Sequence, residues 1–479
     1  MNEGRHQLPD GWGWATLGEI CEHVVHVDPT RNPSKAFRYV DISSISNETF
    51  NIVNSKKYVG AKAPSRARKP IRAGDILVST VRTYLRNVAM VPPELDGEIC
   101  STGLCVLRPI REIADSRFVF RYVLTKEFIN KLTREQRGIS YPAVTDRYVY
   151  AQPIPLPPLA EQKRIMAKTE ELLSRIKAAK QSIQKIRFLV RRFHQFVLTK
   201  AFRGELTERD PKDEPAEKLI VRIKQERRRK WEEDLRAKGK DPKKYKYKEP
   251  EPVIAEYLPE MPRSWIWTRL GYVALVMDVD HKMPKSVKQG VPFISPKDFI
   301  GNVDVDFNNA KRIAPEDFER LSRKCKPEFG DVLISRIGTI GKVRLVPSGV
   351  QFGISYSLAI LRPVQSVLDR KYLFYALQSP IIQDQARERT RSIGVPDLGL
   401  KDMNNFAFPL PSLAEQRLIV SRIDQLFAFV DDVEKSVDAA SNHIEELNES
   451  ILNRAFRGQL VSQDPNDEPA SVLLEKIRG

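Results

Sequence analysis

The chain has 479 residues, about three times the usual domain length, so more than one hydrophobic core is expected. Lys+Arg total 79 against 62 Asp+Glu, a net of +17, which favours a polyanionic partner, nucleic acid first. Hydrophobic residues make up 41%, there are only four cysteines (Cys21, Cys100, Cys105, Cys325), and no apolar run is long enough to span a bilayer. Wholesale disorder, a disulfide scaffold and a transmembrane helix are thus excluded, and a soluble, cytoplasmic protein is expected.

In chain order, Leu8-Pro9 leads into Trp12, Trp14, Leu17 and Gly18. Short β-branched runs between Gly, Pro and Asn turns follow. ILVST (76–80) and EICSTGLCVL (98–107) read as strands, and 116–131 carries a helical pattern. The proline-dense PIPLPP (153–158) closes this mixed head and is expected to block further strand pairing. A long helix comes next. Ile165, Thr169, Leu172, Ile176, Ala179, Ile183, Ile186, Val190, Phe193 and Val197 alternate four- and three-residue steps, the period of a coiled-coil seam. Gly204 is its natural stop.

A basic stretch follows, with thirteen Lys/Arg against six Asp/Glu over 222–250. Its first part is helix-compatible and its remainder reads as a solvated linker. The pattern then restarts. Met261-Pro262 leads into Trp265, Trp267, Leu270 and Gly271; DVLISR (331–336) and ISYSLAIL (354–361) read as strands, and 369–387 as helical. A second seam runs through Ile419, Ile423, Leu426, Val430, Val433, Val437, Ala440, Ile444, Leu447 and Ile451, and stops at Gly458.

The chain is therefore written twice. Gly74-Asp75-Ile76-Leu77-Val78-Ser79 returns as Gly330-Asp331-Val332-Leu333-Ile334-Ser335, and Leu107-Arg108-Pro109 as Leu361-Arg362-Pro363. PLPPLAEQ (155–162) returns as PLPSLAEQ (409–416), and Ala201-Phe202-Arg203-Gly204 as Ala455-Phe456-Arg457-Gly458. This divides the chain into a first head (1–158), a first long helix and tail (159–221), a basic linker (222–255), a second head (256–412) and a second long helix and tail (413–479). The fold class is α+β. Matching registers make pairing of the two helices with each other the favoured arrangement, although periodicity does not choose between parallel and antiparallel.

Catalytic signatures are missing. Gly338-Thr339-Ile340-Gly341-Lys342 lacks the spacing and the hydroxyl residue of a phosphate loop. Cys21, His23 and His26 lack a second ligand pair at finger spacing, so no metal is expected. No nucleophile–base pair or dinucleotide turn appears, and the chain reads as a binding protein. Two other classes stay open: a stand-alone DNA-modifying or cleaving enzyme, and a coiled-coil scaffold that does not read DNA.

The two copies also differ. TVRTYLRN (80–87) faces RIGTIGKV (336–343), and RGISYPAVTDRY (137–148) faces RSIGVPDLGLKD (391–402). These loops are rich in the residue types that grip phosphates and base edges. Candidate DNA contacts are Arg38, Ser79, Thr80, Arg82, Tyr84, Arg86, Arg137, Ser140, Tyr141 and Arg147 in the first head. In the second they are Lys297, Arg336, Thr339, Lys342, Tyr356, Arg391, Ser392 and Lys401. The four repeated tryptophans read as packing anchors, because they recur in heads whose loops differ.

In combination, the doubled Pro-x-x-Trp-x-Trp-x-x-Leu-Gly, Gly-Asp-[IV]-Leu-[VI]-Ser, Pro-Leu-Pro-x-Leu-Ala-Glu-Gln and Ala-Phe-Arg-Gly-x-Leu motifs resemble the specificity subunits of type I restriction–modification enzymes. The resemblance covers nearly the whole chain. It implies two target recognition domains held apart by an antiparallel coiled coil with a pseudo-twofold, and no catalysis by this subunit. It further implies an asymmetric bipartite DNA target, two methyltransferase subunits and two motor–nuclease subunits. S-adenosylmethionine, ATP and Mg²⁺ would belong to those partners.

Overall fold

A computed structural model describes residues 7–138, 142–208, 212, 214–237, 239–247, 253–254, 258–301, 303–391 and 394–478. It divides into two compact units, one of 1–184 with 438–479 and the other of 185–437. Each unit holds one head together with parts of both long helices.

In the first unit, strands 21–22, 104–109, 76–79 and 88–90 form an antiparallel sheet in that order. A second four-stranded sheet is ordered 56–59, 36–40, 99–101 and 67–70, with 36–40 and 99–101 parallel. Both faces of strand 76–79 are covered: Ile76 and Val78 pack toward the helices, Leu77 toward the second sheet. The predicted helical stretch 116–131 is two helices, Ser116–Val123 and Lys126–Arg134, separated where the Thr125 side chain caps the second. The second unit repeats the antiparallel sheet with 274–277, 358–363, 332–335 and 343–345. Its other sheet is reduced to 311–313, 291–294 and 353–354, plus a hairpin of 299–300 with 304–305.

The doubled motifs are fasteners. Arg108 Nε and Nη2 donate to the Asp75 carboxylate at 2.9 and 2.7 Å. Arg362 grips Asp331 in the same bidentate way at 2.8 and 2.8 Å. The repeated Gly-Asp and Leu-Arg-Pro thus meet across neighbouring strands, a planar charge-assisted pair that lysine could not reproduce. The buried Gln162 amide donates to the Ile113 and Pro157 carbonyls and accepts from the Asp115 N–H. Gln416 does the same with Val367, Pro411 and Asp369. Each Ala-Glu-Gln therefore locks the start of a long helix to its head.

The prolines behave differently from expectation. Pro153–Leu156 is itself a strand, paired antiparallel with Gly13–Thr16, and Ala407–Leu410 pairs with Ile266–Arg269. Pro153 and Pro155 occupy alternate positions of a two-stranded ribbon. Their missing N–H groups then fall on one edge, where no ladder partner is needed.

The long helices span Leu159–Phe202 and Leu413–Ala455, roughly 65 Å each. Their pairing is antiparallel. In the first unit Ile165 and Met166, near the start of one, share a core with Ala455 and Phe456 at the end of the other. In the second unit Val197 and Ala201 share a core with Ile419 and Ile423, and His194 meets Phe427 edge-on at 4.5 Å. Of the seam residues, Ile165, Val190, Ile419, Ile423, Val430 and Val437 are buried, while Leu172, Ile176, Ile183, Leu426 and Ile444 are half-buried. Ile186 and Leu447 depart from the expected seam, being 38% and 41% exposed. Only two helices cover one another there, and no head adds a third wall.

Antiparallel pairing makes each head close on the tail of the other repeat. Phe456 sits edge-on to Phe118 and Tyr122 at 5.1 and 5.3 Å, and Phe202 packs on Tyr372 at 5.1 Å. The tail helix Ala470–Arg478 buries Leu474 in the first head's core, with Ala470 N–H bonded to the Gly11 carbonyl at 2.9 Å. Its counterpart, Ala216–Ala237, buries Leu219 and Ile223 in the second unit's core. That helix runs across residue 222, so the basic stretch begins as a continuation of a docked helix.

Candidate nucleic-acid interface

Within each head the divergent loops are brought together on one backbone frame. In the first, Val81 and Arg137 both bridge to Ala143, Arg82 N–H donates to the Pro142 carbonyl, and Val144 N–H to that of Thr80. In the second, Ile337 and Arg391 both bridge to Asp397, Gly338 N–H donates to the Pro396 carbonyl, and Leu398 N–H to that of Arg336. Shared bonds under different side chains are the mark of a common scaffold carrying variable contents.

The loop backbones match even in handedness. Arg82 and Arg86 are left-handed (φ 49° and 56°), as are Gly338 and Gly341 at the equivalent positions (φ 77° and 82°). Glycine adopts this region freely, whereas a branched or long side chain is strained there. The first head holds that strain by anchoring Arg86, whose Nη2 donates to the Leu124 carbonyl at 2.8 Å and whose guanidinium lies 5.3 Å from the Phe50 ring. Leu124 is the C-cap of helix Ser116–Val123, where a cation is favoured by the helix dipole. Between the two arginines a short turn presents Tyr84 and Leu85 to solvent, and Thr83 fastens it to Thr133 at 3.0 Å.

The candidate contacts therefore separate into groups. Arg147, Lys297, Thr339, Lys342, Arg391 and Lys401 are exposed, as is Tyr84. Ser79 and Thr80 are buried and donate to the Val81 and Gly103 carbonyls at 2.8 and 3.0 Å. Arg336 is buried too, with its guanidinium on the carbonyls of Leu398 and Tyr356 and beside Asp397 at 3.4 Å. These three hold the loop frame together. Tyr356 is half-buried and stacked on His281 at 5.4 Å. Arg38 lies on strand 36–40 and Lys297 on the turn 296–298, away from the paired loops. Ser140, Tyr141 and Ser392 fall outside the described residues.

Two further residues support the loops and had no sequence signal beyond their charge. Lys69, nearly fully buried, donates to the Leu104 carbonyl at 2.8 Å and pairs with Asp146, which fixes the short helix carrying Arg147. Arg344 donates to the carbonyls of Ile300, Gly301 and Asp304 and so pins the 299–305 hairpin. Burial pulls its guanidinium below the usual arginine range.

Among the described residues no group of three or more His, Cys, Asp or Glu could hold a metal ion. Cys21 is buried while His23 and His26 are exposed, so they do not converge. No described helix is long and apolar enough to cross a membrane.

Two heads of one frame with different loops, each fastened to a shared pair of helices, define a two-headed recognition protein. Comparison with known proteins carries this further. The family model described as the type I restriction modification DNA specificity domain matches residues 9–187 and 278–440. The chain belongs to that family: it is a specificity subunit of a type I restriction–modification system, a non-catalytic component. It is 28% identical over 443 residues to the type I restriction enzyme EcoBI specificity subunit of Escherichia coli, covering 85% of each chain. It is 26% identical to the EcoKI specificity subunit of E. coli K12, covering 79% of this chain and 75% of that one. Among solved structures it resembles the HsdS subunit of Thermoanaerobacter tengcongensis, with 33% identity, a TM-score of 0.59 and coverage of 96% and 100%. A chain from a study of complex assembly and conformational transition of the type I restriction–modification system matches at 32% identity and a TM-score of 0.70, covering 95% of this chain and all of that one.

Proposed function

We propose that this subunit recognises an asymmetric, bipartite DNA target, each head reading one short block, and that it gathers two methyltransferase and two motor–nuclease subunits around that DNA. One observation carries the reading. The heads keep the same loop backbone, down to matched bonds onto Pro142 and Pro396 and matched left-handed residues, yet fill it with different side chains. A shared frame with unlike contents suits one task performed on two unlike sequences, so the two blocks should differ.

The readers in this proposal are the exposed members of the loops, with Tyr84, Arg147 and Arg137 in the first head and Thr339, Lys342, Arg391 and Lys401 in the second. A well-placed arginine bidentate to guanine discriminates by about 1–3 kcal/mol. S-adenosylmethionine, ATP and Mg²⁺ are assigned to the partner subunits, and chemistry on the adenine to the methyltransferase. The repeated helices and fasteners supply two related docks for two copies of one partner.

The test is to map methylated adenines in a genome carrying this subunit with its methyltransferase, then repeat the map after exchanging loops 80–87 and 137–148 for those of a relative. The expected result is a split motif in which one block changes and the other stays. A change in both blocks, or a continuous motif, refutes the reading.

A further inference from the structure

The two docks are not equal. In the second unit, the second half of the first long helix and the first half of the other enclose an open apolar groove lined by Phe193 and Val430. Its rim is built from Leu189, Phe196 and Phe429, which are 59%, 57% and 68% exposed. Large apolar side chains left that bare, in one contiguous patch, are the usual mark of a protein-docking surface. At the repeat offset of 254, the rim residues correspond to His443, Ser450 and Arg175, all polar and all exposed. The floor keeps its character, since Phe193 and Val430 correspond to Leu447 and Ile176. The same partner surface would meet an apolar floor in both repeats but an apolar rim in only one.

Charge narrows the partner. From Lys185 to Arg203 the first long helix carries basic side chains and no carboxylate, whereas the facing stretch of the second carries Asp431, Asp432 and Glu434. A complementary occupant is an amphipathic helix with one acidic and one basic edge, laid along the groove by its apolar anchors. The geometry points to a graded assembly. The first methyltransferase subunit docks such a helix on the Leu189–Phe196–Phe429 face, and the second takes the weaker, polar-rimmed face. This rests on the scaffold reading above and adds to it an order of loading and an address for the tighter site.

The repeats themselves supply the test. The full-length subunit is titrated with its methyltransferase subunit by calorimetry and native mass spectrometry. The wild type should show two unequal steps. Replacing the rim by its own counterparts, as Leu189→His, Phe196→Ser and Phe429→Arg together, should weaken the tighter step by about tenfold or more and bring the two together. The reciprocal Arg175→Phe, His443→Leu and Ser450→Phe should strengthen the weaker step, a gain that misfolding cannot imitate. Two equal steps in the wild type, or a rim replacement that leaves the tighter step intact, overturns the proposal. So does a dimer of the subunit alone that Phe429→Arg abolishes, because the groove would then belong to a second copy. A subunit that binds no methyltransferase at all refutes the scaffold reading itself, and that outcome is distinct from two equal steps.

Discussion

Gly458 and Gly204 offer a direct test of how the repeats exchange their tails. Gly458 has φ +67°, and a Cβ placed there would lie 2.3 Å from Pro9 Cγ and 3.2 Å from the Trp12 ring. Gly204 has φ +71°, and its Cβ would meet Pro262 Cγ at 2.3 Å and the Trp265 ring at 3.4 Å. Alanine at either position pays twice. The left-handed backbone costs roughly 1–2 kcal/mol for any residue with a Cβ, and relieving the overlap by shifting a proline and an indole costs about 1–3 kcal/mol more. The sum is about 2–5 kcal/mol, a large share of a domain's stability. The distribution of the damage is more telling than its size. Gly458→Ala lies in the second repeat but should loosen the first head, because Phe456 and Leu474 are anchored there. Gly204→Ala should loosen the second head. Hydrogen exchange followed by peptide mass spectrometry reads this directly: 13–16 and 153–156 should lose protection in one variant, 266–269 and 407–410 in the other. Loss of protection in the head of the variant's own repeat, or none in either, would refute the crossed closure.

Other outcomes follow from the same coordinates. Arg336→Ala should destabilise the second head by about 2–4 kcal/mol, because it strands the buried carbonyls of Leu398 and Tyr356; a variant of unchanged stability with altered recognition would show instead that Arg336 is a reader. Lys342→Ala, on an exposed side chain, should leave stability unchanged and lower the salt dependence of DNA binding by about one unit in slope; an unchanged slope means that Lys342 does not touch phosphate. Arg82→Gly should relax a left-handed residue and leave stability level or raised by about 1 kcal/mol, while weakening recognition of one block only, which two half-site substrates would report. Burial pushes the Cys100 thiol up to about 12 and raises those of Cys21, Cys105 and, less enclosed, Cys325. The folded protein at pH 8 should therefore react with a thiol reagent slowly and first at Cys325; rapid labelling of Cys21 or Cys100 would contradict the packing.

Much of this protein was legible in its sequence because it is written twice. Repetition singled out Asp75 with Arg108, Gln162, Phe202 and Gly204 as a framework before any partner was known, and periodicity gave both long helices to within a turn. The loops were located by the same comparison, as the places where the copies disagree. What the sequence could not supply was the direction in which each side chain is spent. Ser79, Thr80 and Arg336 have the right chemistry and the right address for DNA, yet their polar groups are consumed by carbonyls inside the loop frame. Pro153 and Pro155 were expected to end strand pairing, but their alternation leaves one ladder edge intact.

The sequence by itself determined that there are two heads of one design, two stripes fit for pairing, and no catalytic constellation, because these are properties of order and spacing along the chain. Only the tertiary structure decided that each head is closed by the other repeat's tail, and that the helix pair carries an apolar rim on one repeat alone. Both depend on antiparallel pairing, which brings residues some 250–450 positions apart into contact, and a seam read along one strand of sequence is the same in either direction.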